Sequence, residues 1–259
     1  MVKVHILKVN YVIIVKDFTA QRKGLFMKTN LDNRFYKLKR QPFVTYGLLA
    51  VTILMYLLMT FNGGSENPWT LMIFGAKVNE YIVYGDWWRL ITPVFLHIGF
   101  THLLFNGLVI YFLGIELEMI IGHFRFLLLY LLSGLLGNAA SFAFNSSISA
   151  GASTAIFGMF ATTIVLGKLY PYHSKIQRLS RDYIALIIIN VISGFFNQSI
   201  DNAGHLGGML GGYLIMYVLS SKNAINNPTK KRMKYGLIYL LSLIILIVIG
   251  YIRTTSFVF

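Results

Sequence analysis

Four polar residues have side chains suited to acyl transfer: a serine, two histidines and an asparagine. Ser153 and His205 each lie at the start of an apolar run, and His102 and Asn106 lie in the first turns of another. A serine hydroxyl becomes an effective nucleophile when a base takes its proton, and histidine is the side chain in this set that can do so. His102 and Asn106, four residues apart and so on one helix face, can supply N–H groups to a developing oxyanion.

The composition and the spacing of apolar residues predict a membrane protein. The 259-residue chain is 56% apolar and only 12% charged, with a mean hydropathy of +0.64, whereas soluble domains carry about 25% charged residues. A helix that crosses a bilayer needs about 20 apolar residues. Seven runs are predicted as spans, at 42–61, 100–117, 125–144, 152–169, 183–196, 203–219 and 235–252.

The distribution of Lys and Arg predicts the orientation of these spans. Of 23 such residues, 20 fall before the first span or in the loops that follow spans two, four and six, and 3 fall on the other side. Because cytoplasmic loops carry the excess of basic residues, we expect a cytoplasmic N-terminus and an outer C-terminus. The net charge of +14 then indicates topology, with anionic lipid headgroups as neighbours, and requires no nucleic-acid partner.

With this orientation the four polar residues lie at one depth. Spans two, four and six all begin in the outer leaflet, where polar side chains are costly and usually functional. Each residue alone has a structural explanation, since serine can bond to its own helix and His or Asn can bridge helices. Asp201, near the loop, is the one acidic residue close to His205 in the outer half of these helices. We therefore predict a Ser–His dyad rather than a triad.

Several separate motifs within 42–220 resemble those of the rhomboid intramembrane proteases, and they occur in the order of that family. They are the pair Trp88-Arg89, the HxxxN run from His102 to Asn106, ExxxG at Glu118 and Gly122, GxS at Gly151 to Ser153, and HxxGxxxG at His205, Gly208 and Gly212. Two positions depart from the pattern, with Thr154 where the family usually has Gly and Phe157 where some members have Tyr. Neither change removes a group that transfers a proton.

The resemblance implies an all-α membrane fold with a six-helix core and, here, a seventh C-terminal helix. It also implies that Ser153 and His205 form the dyad and that His102 and Asn106 help build the oxyanion site. The expected parts are a basic cytoplasmic tail (1–41), the protease core (42–220), and a basic loop with the seventh helix and a short tail (221–259). Residues 1–26 are hypothesised to come from an over-extended reading frame, because the sequence from Met27 onward looks like an ordinary protein N-terminus just ahead of the first span.

The predicted function is hydrolysis of peptide bonds in or near transmembrane segments of membrane proteins, with the active site toward the outer side. No metal or cofactor is expected: cysteine is absent and no HExxH motif occurs. Three alternatives stay open. The fold could bind transmembrane helices without cleaving them, act as a transporter or channel, or hold haem or a metal through His97, His102 and His205.

Overall fold

The computed structural model describes residues 41–196, 200–221, 224–225 and 227–258. The chain divides into two units, Met1–Gln41 and Pro42–Phe259, and only the second is described below. The predictions for the N-terminal tail, including the reading-frame hypothesis for residues 1–26, lie outside the described residues.

The described part of the second unit is built from helices, with no β-strand beyond one isolated antiparallel bridge between Lys77 and Ser149. The helices are α1 (Phe43–Phe61), α2 (Pro68–Ile73), α3 (Asn79–Val83), α4 (Phe100–Ile121), α5 (His123–Phe144), α6 (Ser153–Leu169), α7 (Ser174–Phe196), α8 (Asn202–Leu219) and α9 (Thr229–Val258), with 3₁₀ turns at Trp87–Leu90 and Thr92–Phe95.

Each of the seven predicted spans coincides with one of the longer helices, so the expectation of an all-helical membrane protein is confirmed. Among the described residues, α1, α4, α5 and most of α9 are long and apolar enough to cross a membrane, and α6 is apolar but shorter, with 17 residues. The chain is therefore a multi-pass membrane protein. The count of six core spans plus a seventh stays a prediction.

Helices α6 and α8 touch backbone to backbone and run parallel. A Cβ atom on Gly208 would lie 2.0 Å from the carbonyl oxygen of Thr154, and one on Gly212 would lie 2.1 Å from that of Gly158. Residue numbers rise together along both helices, which gives their common direction. Glycine at these positions lets the two backbones approach closely, as small residues do between membrane helices.

Helix α5 packs against the same stretch of α8 in the opposite direction. A Cβ atom on Gly207 would lie 2.9 Å from the carbonyl oxygen of Leu136, and one on Gly211 would lie 3.1 Å from the Cα of Ser133. From the first of these contacts to the second, the residue numbers rise along α8 and fall along α5, so the two helices are antiparallel. The three-helix contact of α5, α6 and α8 is the central packing unit of the described fold.

Hydrogen bonds from Arg89 stabilise the segment between α1 and α4. Its guanidinium donates to the carbonyl oxygens of Met72 at 2.8 Å and Ala76 at 3.0 Å, and to the Asp86 carboxylate at 2.8 Å. Arg89 is buried, whereas its neighbour Trp88 is half exposed. A planar fork with several donors suits such a convergence of acceptors. Arg89 therefore links α2 to the 3₁₀ turn that contains it.

Glu118 joins α1 to α4 at the end opposite to Ser153 and His205. Its fully buried carboxylate accepts from the backbone N–H of Val44 at 3.0 Å and from the N–H and hydroxyl of Thr45 at 2.7 and 2.6 Å. His123 Nδ1 lies 2.5 Å from the same carboxylate. The first N–H groups of a helix lack partners within it, and a carboxylate there satisfies them and interacts favourably with the helix dipole.

Candidate active site

Ser153 and His205 lie within hydrogen-bond distance of each other. Ser153 is the first residue of α6 and His205 is in the first turn of α8. The distance between Ser153 Oγ and His205 Nε2 is 2.9 Å. The parallel, closely packed arrangement of α6 and α8 brings these two helix starts together. This is the geometry that a base needs in order to take the proton of a serine hydroxyl.

One contact holds the imidazole ring of His205 and another holds its backbone. The ring of Phe157, one turn into α6, stacks on it with the centroids 4.1 Å apart and an angle of 14° between the planes. The backbone N–H of His205 donates to the carbonyl oxygen of Asp201 at 3.0 Å. Phe157, which stands where some members of the family have Tyr, thus makes an aromatic contact without a hydroxyl. With its ring packed on one face and its backbone held in the helix, His205 keeps Nε2 directed toward Ser153.

Gly151 separates the His102 ring from the Ser153 hydroxyl. Its φ is +149°, and a Cβ atom there would lie 2.6 Å from His102 Cε1, 2.9 Å from His102 Nε2 and 3.6 Å from Ser153 Oγ. A side chain at this position would therefore clash with the His102 ring. The absence of a side chain at residue 151 leaves His102, from α4, beside the serine on α6.

Asn106 lies one turn after His102 on α4 and is buried. Among the described residues its Nδ2 amide has no hydrogen-bond partner. A buried donor without an acceptor costs about 1 to 3 kcal/mol, so such a group is retained where a ligand supplies the acceptor. This observation supports the prediction that Asn106 donates to a bound oxyanion, and that role stays a prediction.

His97 contributes to the site in a way that its position in the sequence did not indicate. It is fully buried, its Nε2 accepts from the backbone N–H of Ala152 at 3.3 Å, and its ring meets that of His102 edge-on at 5.0 Å. Burial, with a smaller contribution from His102, lowers the pKa of His97 to about 3. The neutral ring accepts at Nε2 and so fixes the residue that precedes the candidate nucleophile.

The carboxylate of Asp201 is turned away from the His205 ring. One oxygen accepts from the backbone N–H of Gly204 at 2.9 Å, and the other accepts from the hydroxyls of Ser141 and Ser149. Both oxygens are thus engaged by groups other than the imidazole, an arrangement in keeping with a dyad. Spacing alone did not indicate the two serines, because neither belongs to a motif.

A small pocket opens beside this pair of residues. It is lined by Phe157, Val191, Asn202, His205 and Leu206 and so lies between α6, α7 and α8. Within the described ranges, no group of three or more His, Cys, Asp or Glu side chains is placed to hold a metal ion. The three histidines of the metal alternative therefore do not form such a cluster.

Comparison with known proteins agrees with this architecture. The Rhomboid domain matches residues 84–222. Curated relatives include Rhomboid protease GluP of Bacillus subtilis (strain 168), 44% identical over 184 residues that cover 71% of this chain and 36% of that protein. Putative rhomboid protease YdcA of the same organism is 34% identical over 76% of this chain and 98% of its own length. Rhomboid protease AarA of Providencia stuartii is 32% identical over 66% of this chain and 70% of its own length.

The chain thus spans about a third of the first of these relatives and nearly all of the second. The domain match covers more than half of the chain and contains Ser153 and His205 as well as His102 and Asn106. The chain belongs to the rhomboid family of membrane proteases.

Proposed function

We propose that this chain is an intramembrane serine endopeptidase that hydrolyses peptide bonds in or near transmembrane segments through a Ser153–His205 dyad. The observation that carries the proposal is the 2.9 Å distance between Ser153 Oγ and His205 Nε2. The similarity to proteins named as rhomboid proteases supports the same class of reaction.

In the proposed reaction His205 Nε2 takes the proton of Ser153 Oγ while Oγ bonds to the scissile carbonyl carbon. The carbonyl oxygen becomes an oxyanion, and His102, Asn106 and the backbone N–H of Ser153 are the proposed donors that stabilise it. His205 then gives its proton to the leaving amine as the C–N bond breaks, which leaves an acyl-enzyme. Water, deprotonated by His205 in the same way, then bonds to the acyl carbon. The bond from that carbon to Ser153 Oγ breaks, His205 returns the proton to Oγ, and the acid is released.

We propose that Phe157 orients the imidazole of His205, which is one function of the carboxylate in a triad. In a triad the acidic residue holds the imidazole in the correct orientation. Here the ring of Phe157 stacks on His205 at 4.1 Å, and the Asp201 carboxylate is bonded elsewhere. Orientation by stacking leaves the charge of the imidazolium uncompensated by a direct ion pair, which is compatible with a dyad.

The proposed substrates are membrane proteins with a helix end that can unwind. A peptide carbonyl within a helix is occupied by its hydrogen bond, so small or helix-breaking residues near the cleaved bond are expected. The pocket beside the dyad, between α6, α7 and α8, is a suitable place for a residue flanking that bond.

The proposed topology has six core spans, a seventh formed by α9, a cytoplasmic N-terminus and the dyad toward the outer leaflet. Its basis is the positive-inside distribution of Lys and Arg. Because the chain contains no cysteine, single cysteines placed in each loop can be labelled one at a time with a membrane-impermeant maleimide. Labelling from outside is expected at residues 146 and 66 and not at residue 172. The reverse pattern would contradict the orientation.

The activity is tested with purified protein in lipid and a substrate that contains one transmembrane segment. Wild type is compared with Ser153→Ala, His205→Ala and, as a matched control, Ser146→Ala, which changes an exposed serine in a nearby loop. Cleavage is expected for wild type and the control and to fall by at least about 1,000-fold in the first two variants. Equal cleavage by Ser153→Ala would overturn the proposal. Function in cells that survives Ser153→Ala would instead favour a helix-binding protein that does not cleave.

A further inference from the structure

Asp201 determines the conformation of the first turn of α8. It is the residue before the helix, where its side-chain oxygen accepts from the backbone N–H of Gly204 at 2.9 Å. Its own carbonyl oxygen accepts from the N–H of His205 at 3.0 Å. A side chain that caps a helix in this way stabilises its first turn. The turn that Asp201 caps is the turn that presents the candidate base.

The second carboxylate oxygen of Asp201 connects that turn to two other parts of the chain. It accepts from the hydroxyl of Ser141, near the end of α5, and from that of Ser149 at 2.9 Å. Ser149 lies four residues before Ser153, in the segment that leads into α6. One carboxylate therefore links the element that presents the base to the segment that leads to the nucleophile.

Lys77 also holds this segment. Its fully buried ammonium donates to Asn145 O and Ser147 O, each at 2.7 Å, and to Asn79 Oδ1 at 3.0 Å. Its backbone forms a two-way bridge with Ser149, through N–H···O contacts of 2.9 and 3.1 Å. A buried ammonium with three oxygen acceptors has its donors satisfied. The segment before Ser153 is thus held by both Lys77 and Asp201.

The surroundings of Asp201 keep its carboxylate ionised. Burial pushes the pKa of Asp201 upward, but hydrogen bonds from Ser141, Gly204 and Ser149, together with the charge of Lys77, outweigh this and hold the pKa below its usual value. The ionised carboxylate accepts at both oxygens, as the three hydrogen bonds require.

We propose that Asp201 is a positioning residue that sets the distance between His205 and Ser153 by capping α8 and binding the hydroxyls of Ser141 and Ser149. The inference rests on the proposed protease function. Asp201 acts through His205 and touches neither the imidazole nor the reacting atoms, which distinguishes it from the acidic member of a triad.

Replacing Asp201 with alanine removes all three acceptor contacts and frees the first turn of α8. A displacement of about 1 Å at a catalytic group lowers the rate about 100-fold, so a fall in kcat of about 10- to 100-fold is expected. KM changes little because no substrate-contacting group is altered. Asp201→Asn keeps an oxygen for Gly204, and its NH₂ donates to the two hydroxyls, which accept as well as donate. This variant is expected to restore kcat to within about threefold of wild type.

The experiment uses the full chain in lipid, with cleavage of a transmembrane substrate and labelling of Ser153 by a fluorophosphonate. The end point of labelling counts competent sites, and its rate constant reports how well His205 activates the serine. We expect Asp201→Ala to have a lower kcat per labelled site and a smaller rate constant of labelling than wild type. Ser141→Ala combined with Ser149→Ala, which keeps the cap on α8, is expected to lower kcat about 10-fold, as a partial loss of positioning should. Ser146→Ala serves as the unchanged control.

The outcomes separate positioning from stability and from the function itself. If Asp201→Ala only lowers the number of labelled sites, with kcat per site unchanged, the residue is structural and the inference is wrong. If Asp201→Asn loses as much kcat per site as Asp201→Ala, the hydrogen-bonding account is wrong. If wild type shows no cleavage that depends on Ser153, the proposed function fails and the inference fails with it.

Discussion

Replacing Gly208 with alanine perturbs the contact that brings α6 and α8 together. The added methyl carbon would lie 2.0 Å from the carbonyl oxygen of Thr154, where ordinary van der Waals contact begins at roughly 3.4 Å. The obstructing atom belongs to the backbone and cannot rotate away. The helices must therefore separate locally by about 1 Å or more to admit the methyl group.

The separation acts directly on the dyad because both contact residues adjoin it. Thr154 follows Ser153, and Gly208 lies one turn after His205. A shift of about 1 Å would lengthen the Oγ–Nε2 distance from 2.9 Å to nearly 4 Å, beyond the range of a hydrogen bond at about 3.2 Å. We expect kcat to fall about 100-fold and the free energy of unfolding to fall by about 1 to 3 kcal/mol.

The assay compares kcat for cleavage of a transmembrane substrate with thermal unfolding of the same preparations. The matched control is Gly236→Ala in α9, where the added Cβ atom would meet the nearest side-chain atom, Val218 Cγ2, at 3.6 Å, an ordinary contact. The control should keep wild-type kcat and melt at the wild-type temperature or slightly above it, since alanine favours a helix. If Gly208→Ala has wild-type kcat and wild-type melting, the close approach does not set the dyad distance.

Three further changes probe other contacts. Phe157→Ala removes the ring stacked on His205 and should lower kcat about 10-fold, whereas Phe157→Tyr should retain activity. A loss confined to KM, as expected of a ring that only lines the substrate pocket, would refute the orienting role. Glu118→Ala leaves the first backbone N–H groups of α1 without their acceptor and should lower the free energy of unfolding by about 2 to 4 kcal/mol in thermal melts. Thr154→Val removes a buried hydroxyl that has no partner among the described residues. It should raise the free energy of unfolding by about 1 kcal/mol at unchanged kcat. A lower free energy of unfolding would show that the hydroxyl is bonded.

The helices were predictable because hydrophobic length is a local property of the chain. Each apolar run coincides with a helix, but two helices extend well beyond their runs. The run at 183–196 lies in a helix that begins at Ser174, and that at 235–252 lies in one that spans Thr229–Val258. Most of the added residues are polar, so a hydrophobicity criterion detects only the apolar portion of each helix and leaves its ends undetermined.

The pairing of Ser153 with His205 was predictable for a different reason. Both residues sit at starts of apolar runs with the same orientation, and small residues at fixed spacing in α8 allow close packing. Lys77 shows the limit of such reasoning. From the sequence it is one of few basic residues outside the basic loops, a pattern that suggests solvent exposure, yet it is fully buried. Two of its three acceptors are backbone carbonyls about 70 residues away, and no local pattern encodes such a contact.

Thr154 shows how a departure from a family motif is accommodated by its neighbours. The side chain of Thr154 points into the contact of α5, α6 and α8, where the facing positions are Gly137 and Gly204. A Cβ atom on Gly137 would lie 2.7 Å from Thr154 Cβ, and one on Gly204 would lie 3.1 Å from Thr154 Cγ2. The space that a glycine would leave at 154 is therefore filled by threonine, and the two facing glycines supply the room. Because the backbone of Thr154 still meets Gly208 at close contact, the extra side chain does not separate α6 from α8. The distance between Ser153 and His205 thus depends on backbone contacts that this substitution leaves intact.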